Sequence, residues 1–278
     1  MSVRNALRIL AVLAVAGSAT FARAQSPAPS SPLSTPAQID ASLHKVPCDN
    51  DKRLEAVKQL FLANGATQSD LCLDEFRETT NLVVTVRGTG SGYVVVGAHY
   101  DKVAHGCGAI DNWTGIVLLA HLYGTVRQTA PSKTYLFVAF GREESGLVGS
   151  KAMVNAMSKQ ERKLYCAMIN LDSFGLARPQ VLRNVSSADL TEFVSKVAKE
   201  LSVPFASASA YADADSTPFR TNGIPAVTLH ALSNDWAQIL HSTSDTLDRI
   251  NLGSVYQSYY LALNVLARLD GCDCNQFR

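Results

Sequence analysis

Five stretches of this chain place imidazole or carboxylate side chains at the end of an apolar run or in the loop after it. Val94-Val95-Val96-Gly97-Ala98 leads into His99-Tyr100-Asp101. Gly106-Cys107-Gly108-Ala109-Ile110 leads into Asp111, and Phe137-Val138-Ala139-Phe140-Gly141 runs to Arg142-Glu143-Glu144. Met168-Ile169-Asn170-Leu171 ends on Asp172, and Leu240 precedes the polar loop His241-Ser242-Thr243-Ser244-Asp245. Singly, each has an ordinary explanation: Asp111 caps a helix, Glu143 and Glu144 are charges at a helix start, His241 is a surface side chain. Together they form a set of nitrogen and oxygen donors without thiolate. Crowded imidazoles and carboxylates repel or stay protonated unless a cation neutralises them. The chemistry open to such a set is therefore to hold a divalent ion, zinc being suited and others open. Alternate residues of a strand share a face, so Asp101 can hold the second ring nitrogen of His99 and aim the first at a metal.

The elements that must bring these residues together alternate. Asn81 to Arg87 and Gly92 to Ala98 read as strands joined by a glycine-rich, hairpin-like turn. Further strands are predicted at Thr134 to Gly141, Ala167 to Asp172, Val181 to Asn184 and Ala226 to His230. Helices are predicted at Asn50 to Asn64, Asp111 to Thr129, Gly146 to Met157, Ala188 to Leu201 and Ser254 to Leu269. This alternation predicts an α/β fold: a three-layer α/β/α domain with a central mixed, mostly parallel sheet and an antiparallel edge. In such a sheet the carboxyl ends of parallel strands converge on one crevice.

The chain has 278 residues, 47% hydrophobic, with a formal net charge of +1. That suffices for one sizeable core and argues against a nucleic-acid partner, which would call for a basic surface. Arg4 and Arg8 precede a short apolar run, and Ala22-Arg23-Ala24 follows as a small-x-small cleavage site, so residues 1–24 read as a signal peptide. The run is too short to span a bilayer. An exported product, secreted or periplasmic, is expected, with no membrane attachment after cleavage. Residues 25–38, rich in Pro and Ser, read as a linker, and 39–278 as one catalytic domain. Six cysteines in an exported chain permit disulfides. A Cys48–Cys72 bridge stapling the first helix is expected, with Cys166 a plain buried thiol.

The ordered motifs resemble those of the zinc aminopeptidases with two co-catalytic metals, whose clan also holds the glutaminyl cyclases. They are Ala98-His99-Tyr100-Asp101, Gly108-Ala109-Ile110-Asp111-Asn112-Trp113-Thr114-Gly115, Glu143-Glu144-Ser145-Gly146-Leu147, Asn170-Leu171-Asp172, Asp215-Ser216-Thr217-Pro218-Phe219, Gly223-Ile224-Pro225-Ala226 and His241-Ser242-Thr243-Ser244-Asp245. The resemblance implies two zinc ions per chain. His99 and Asp172 would hold one, Glu144 and His241 the other, with Asp111 bridging. It makes Glu143 the general base, places Asp101 behind His99, and implies a cis peptide at Asp111-Asn112. The implied reaction is removal of amino-terminal residues from peptides by a metal-bridging hydroxide. Glutaminyl-peptide cyclisation on the same scaffold and a non-catalytic binding module are the alternatives. Asp215 and Trp236 are candidate substrate contacts. Two positions depart from the family pattern: Leu240 stands where an aromatic residue is common, and Ser216 where a His is. Tyr100 and Tyr211 are candidates for the vacated oxyanion role. Asn112-Trp113-Thr114 matches a glycosylation sequon, but its place inside the motif argues against use.

Overall fold

The computed structural model describes residues 33–209 and 213–278. The expected signal peptide, most of the linker and Tyr211 lie outside the described residues. Ordered structure begins before Ile39, the expected domain start. Thr35 caps helix α1 (Pro36–Leu43) in a capping box with Gln38, and Pro36 stands at the helix start. The Pro/Ser-rich composition concealed these signals.

Eight strands form one sheet in the order β1-β2-β4-β3-β5-β8-β6-β7. They are β1 (Leu71–Phe76), β2 (Thr79–Val86), β3 (Tyr93–His99), β4 (Thr134–Phe140), β5 (Tyr165–Leu171), β6 (Gln180–Leu182), β7 (Ala206–Ala208) and β8 (Ala226–His230). The middle four, β4-β3-β5-β8, are mutually parallel. β1 and β2 add an antiparallel edge on one side, and β6 runs antiparallel to β8 on the other. The mixed sheet is as expected, but its hairpin is not the predicted one. β4 separates β2 from β3. The Gly88–Gly92 stretch instead crosses over β4, its Thr89 and Gly90 amides donating to the carbonyls of Pro131 and Ser132. The true partner of β2 is β1, an edge strand whose residues are all exposed or half-buried. Without a buried face it has no apolar periodicity to read.

Val94 to Ala98 are wholly buried because helices cover both faces of the sheet. On one face Val94, Val96 and Ala98 join a large core with α1, α2 (Asn50–Ala63), α3 (Gly115–Val126), α6 (Ala188–Glu200) and α8 (Leu252–Asp270). On the other, Val95 and Met168 pack with Met153 and Val154 of α4 (Val148–Ala156) and Phe219 of α7 (Ser216–Thr221). Every residue of α3 is buried, not only the predicted face. α1, α2 and α8 cover its outer side, so it behaves as a core helix that is apolar all round. A short α5 (Lys159–Arg162) completes the elements. Among the described residues, no helix is long and apolar enough to cross a membrane.

Two disulfides are present, Cys48–Cys107 and Cys166–Cys274. The expected Cys48–Cys72 pair is therefore wrong. Cys72 is an exposed thiol on the edge strand β1, and Cys272 is also unbridged. Cys166 is bridged rather than free. Sequence proximity to one helix suggested the first pairing, whereas the fold brings the start of α2 against the loop after β3.

His121 of α3 is buried between the hydroxyls of Ser42 (2.9 Å) and Ser34 (2.8 Å). Burial, with help from Lys45, pushes its pKa down to about 4. The folded state thus favours the neutral ring. Its stabilisation is complete above the unfolded value near 6.5 and is lost as pH falls from there through about 4. At pH 5 the loss is about 2 kcal/mol. His121→Gln is therefore expected to show a smaller drop in melting temperature between pH 7.5 and pH 5 than the unaltered chain. Parallel curves would rule this ring out as a source of acid sensitivity.

Candidate metal centre

The five candidate ligands come from the carboxyl edge of the parallel strands. His99 is the last residue of β3, Asp172 follows β5, and Glu144 sits in the loop after β4. Asp111 lies in the irregular turn before α3, and His241 in the loop after β8. The structure brings all five together. His99 Nε2 lies 3.1 Å from Asp111 Oδ1 and 3.8 Å from Asp172 Oδ1. His241 Nε2 lies 3.0 Å from Asp111 Oδ2 and 3.2 Å from Glu144 Oε2. Asp111 thus presents one oxygen to each imidazole. Two overlapping donor clusters result, His99–Asp111–Asp172 and Asp111–Glu144–His241.

The electrostatics of these groups fit a cation in each cluster. Burial alone would lower the pKa of His99, but Glu143, Asp101, Asp111 and Asp172 outweigh it and hold the ring protonated. Hydrogen bonds to Asp111 and Glu144 push His241 up to about 10. Asp111 is held below the ordinary carboxylate range by the two imidazoles, against its own burial. Glu144 Oε1 is buried without a hydrogen-bond partner, a costly state for an acceptor that a bound ion would relieve. The nearest cysteine in sequence, Cys107, is bridged to Cys48, so the donors are nitrogen and oxygen only.

The profile of peptidase family M28 matches residues 81–266. This chain belongs to peptidase family M28. It is 36% identical over 99 residues to an aminopeptidase of Pseudomonas aeruginosa, covering 35% of this chain and 18% of that protein. A zinc aminopeptidase from Bacillus subtilis superposes with a TM-score of 0.62 at 24% identity, over 68% of this chain and 49% of the other. A glutaminyl cyclase from an Acidobacteriales bacterium superposes with a TM-score of 0.71 at 18% identity, over 89% and 99%. These two likenesses establish the shared fold. The chain spans less than a fifth of the length of the first curated relatives it matches.

In this M28 chain, Asp101 stands behind His99 and has a further contact. The closest contact of His99 Nδ1 is the Asp101 backbone carbonyl, at 3.1 Å, with the carboxylate at 3.7 Å. The carboxylate also accepts the Glu143 amide (2.9 Å) and the Glu144 amide (3.1 Å). It therefore fixes the loop that carries Glu143 and Glu144. Asp245 plays the same part for Asp111, accepting the amides of Ile110 (2.6 Å) and Asp111 (3.2 Å). Burial raises its pKa to about 6. The Asp111-Asn112 peptide is cis, as the resemblance implies. Asn112 Oδ1 accepts from Gly115 and Ser173, both at 3.0 Å, and its Nδ2 donates to Leu171 (2.9 Å). This clamp ties the Asp111 turn to the end of β5 beside Asp172. A Cβ at Gly115 would strike Asn112 Oδ1 and the Leu171 carbonyl, so only glycine permits that approach. Asn112, Trp113 and Thr114 are all fully buried, which excludes glycosylation of the sequon. Four non-glycine residues around the centre, Arg142, Leu147, Ser173 and His241, hold left-handed backbone, as active-site loops often do.

Sequence reading missed Arg53 entirely. It is buried on α2, outside the matched residues. Its guanidinium donates to the carbonyls of Tyr100, Pro47 (3.1 Å), Cys107 (3.1 Å) and Gly108 (3.2 Å), and lies over the Trp113 ring. It thereby holds both segments that deliver His99 and Asp111. The only sequence signal was a single Arg one turn before Val57 on the buried side of the helix. Arg53→Met takes the side-chain donor from the half-buried carbonyls of Tyr100, Pro47 and Cys107, while Gly108 keeps the Trp113 amide, and is expected to cost about 3–5 kcal/mol. The denaturant midpoint measures this, and a loss below 1 kcal/mol would mean that solvent replaces the guanidinium.

A cavity of about 740 Å³ opens on the centre. His99, Asp111, Glu143, Glu144, Asp172 and His241 line one part, and Leu182, Leu232, Trp236 and Leu240 another. Trp236 thus stands where a substrate contact is expected. Asp215 does not: it is wholly buried and off the cavity wall, so the expectation of a substrate contact there is corrected. Tyr100 is committed through its hydroxyl to the Thr80 carbonyl (2.9 Å), which removes it from the oxyanion role. Ser216, in place of the common His, bonds to Thr228 Oγ1 (2.7 Å) and Val185 O (3.1 Å) in the core.

Proposed function

We propose that this chain is an exported zinc-dependent aminopeptidase that removes amino-terminal residues from peptides, with two ions per chain. The observation that carries this reading is Asp111, whose two oxygens each face a different imidazole at 3.1 and 3.0 Å. That is the arrangement of a carboxylate shared between two cations. His99 and Asp172 would complete one site, and Glu144 and His241 the other. When bound, a zinc pair polarises a scissile carbonyl and makes a water acidic enough to lose its proton near neutral pH.

Glu143 belongs to neither ligand cluster but lines the same cavity. Burial raises its pKa; His99 counters this, while Asp215, Asp172 and Asp111 add to it. A carboxylate with raised proton affinity accepts a proton from the attacking water and returns it to the leaving amine. The carboxylates of the centre suit a free α-amine, and the apolar wall at Leu182, Leu232, Trp236 and Leu240 suits the side chain of the amino-terminal residue. Two disulfides fit an oxidising compartment, and residues 1–24 are proposed to be the export signal, cleaved after Ala24.

The test is a panel of aminoacyl and glutaminyl substrates, with metal content and amino-terminal sequence determined on the exported protein. Hydrolysis with two zinc ions per chain is expected. Cyclisation of glutaminyl substrates with a single ion would replace this reading by the cyclase one.

A further inference from the structure

Residues 100–108, between β3 and the turn that carries Asp111, contain no helix or strand. Their contacts run in two directions. Inward, they meet the loop of His241. The Cys107 amide donates to the Asp245 carbonyl (3.3 Å), and Gly106 packs so closely on the Ser242 carbonyl that a Cβ there would strike it. Asp245 in turn accepts the Asp111 amide (3.2 Å). Outward, Cys107 is bridged to Cys48, just before α2. The Cys48–Cys107 bond therefore ties down the point at which the Asp111 turn and the His241 loop meet. Cys48 lies outside residues 81–266, so the family profile does not include this bridge.

The two disulfides differ in access. Cys48 is exposed and Cys107 half-buried. Cys166 is buried and lies at the start of β5, the far end of that strand from Asp172. Thiol–disulfide exchange needs a sulfur that the attacking thiolate can reach, so a reductant opens Cys48–Cys107 first. Cutting this bond leaves the Arg53 contacts with Cys107 and Gly108 and the paired contacts of Asn50 with Lys102. The fold then persists while the loop gains freedom.

A ligand that must be ordered on binding holds a metal less tightly than one fixed in advance. The two donor clusters do not feel this equally. His99 ends β3 and Asp172 follows β5, strands that this bridge does not join. Asp111 and His241 both belong to the segments that meet at Cys107. The Asp111–Glu144–His241 cluster therefore has two donors on those segments, and the His99–Asp111–Asp172 cluster has one.

We propose that Cys48–Cys107 is a redox latch on the metal centre. Oxidised, it holds the Glu144–His241 ion site in its binding geometry; reduced, it weakens that site and leaves the His99–Asp172 ion in place. This rests on the two-ion reading above. The reductant is a dithiol. One of its thiolates attacks Cys48 Sγ, the S–S bond breaks, and Cys107 leaves and takes a proton. The second thiolate then attacks the reductant's own sulfur in the mixed disulfide, and Cys48 leaves in the same way. The chain gains two electrons and two protons, and the dithiol becomes a disulfide. Full metal loading is thereby confined to an oxidising compartment.

The experiment measures zinc stoichiometry and affinity by competition with a chromophoric chelator. It uses the full chain before and after brief reduction by a phosphine that is then removed, and the double variant Cys48→Ser with Cys107→Ser. Thiol counting should find Cys72 and Cys272 before reduction, and Cys48 and Cys107 in addition after it. Circular dichroism reports the fold. In the reduced chain and in the variant, one ion is expected to weaken by about tenfold or more and the other by less than about threefold, the scale set by loss of an outer partner of a ligand. His241→Ala should lose the same ion, so that reduction of that variant adds little. Unchanged affinities, equal weakening of both ions, or tighter binding through a freed thiolate overturns the latch. So does loss of both ions together with the folded signal, which would make the bridge a staple of the whole fold. If the double variant alone does not fold, the reduced chain decides. A single ion in the oxidised chain removes the two-ion reading, and the latch with it.

Discussion

Glu143→Gln is expected to lower kcat on aminoacyl anilides by about 10²–10⁴-fold while zinc content stays at the unaltered level. The substitution keeps the shape of the side chain and its place in the loop, because the backbone amide still donates to Asp101 Oδ1. It removes only the capacity to accept a proton. The ligand clusters do not include Glu143, so metal binding has no reason to change. The effect should fall on kcat rather than KM, since the lost interaction is made during proton transfer and not on binding. Metal analysis and steady-state kinetics on the same sample check both halves. Full activity in the variant would exclude Glu143 as the base. Lost activity together with lost zinc would show instead that it is a ligand.

The second large effect is expected at Asp111. Asp111→Ala removes a donor from both clusters at once. Loss of even an outer partner of a ligand typically costs 10–100-fold in metal affinity. Loss of a shared ligand should exceed that for both ions, lowering activity to the background of metal-free protein. The alanine also leaves two imidazoles and the Glu144 and Asp172 carboxylates without the group that separates them. Chelation of the unaltered chain should abolish activity, and added zinc should restore it. The same addition should fail to rescue Asp111→Ala at equal concentration. Two tightly held zinc ions in the variant would show that Asp111 does not bridge, and activity that persists through prolonged chelation would remove metal from the mechanism.

Much of the centre was legible because its residues sit at strand ends. His99 ends and Asp172 follows a short apolar run of the length and β-branched content of a buried strand, and Glu143-Glu144 follow another. The helices were legible from their 3.6-residue periodicity, though α1 was hidden in a Pro/Ser-rich stretch and α3 proved buried all round. What failed to show were features without periodicity or with distant partners. The edge strand β1 has no buried face. The partners of Cys48 and Cys166 lie 59 and 108 residues away. Arg53 acts only through carbonyl groups, which every residue possesses, so its side chain announces no partner in sequence.

Residue order alone thus determined the α/β architecture and a pool of imidazole and carboxylate side chains at strand ends, because burial periodicity and residue chemistry are local properties written along the chain; the resemblance of the ordered motifs then picked the five candidate ligands from that pool. Only the tertiary structure decided strand order, disulfide pairing, the two-sided contact of Asp111, and the loop-holding parts of Asp101, Asn112, Asp245 and Arg53. Those depend on which backbone groups end up opposite one another, and that is settled by packing the whole sheet rather than by any one segment.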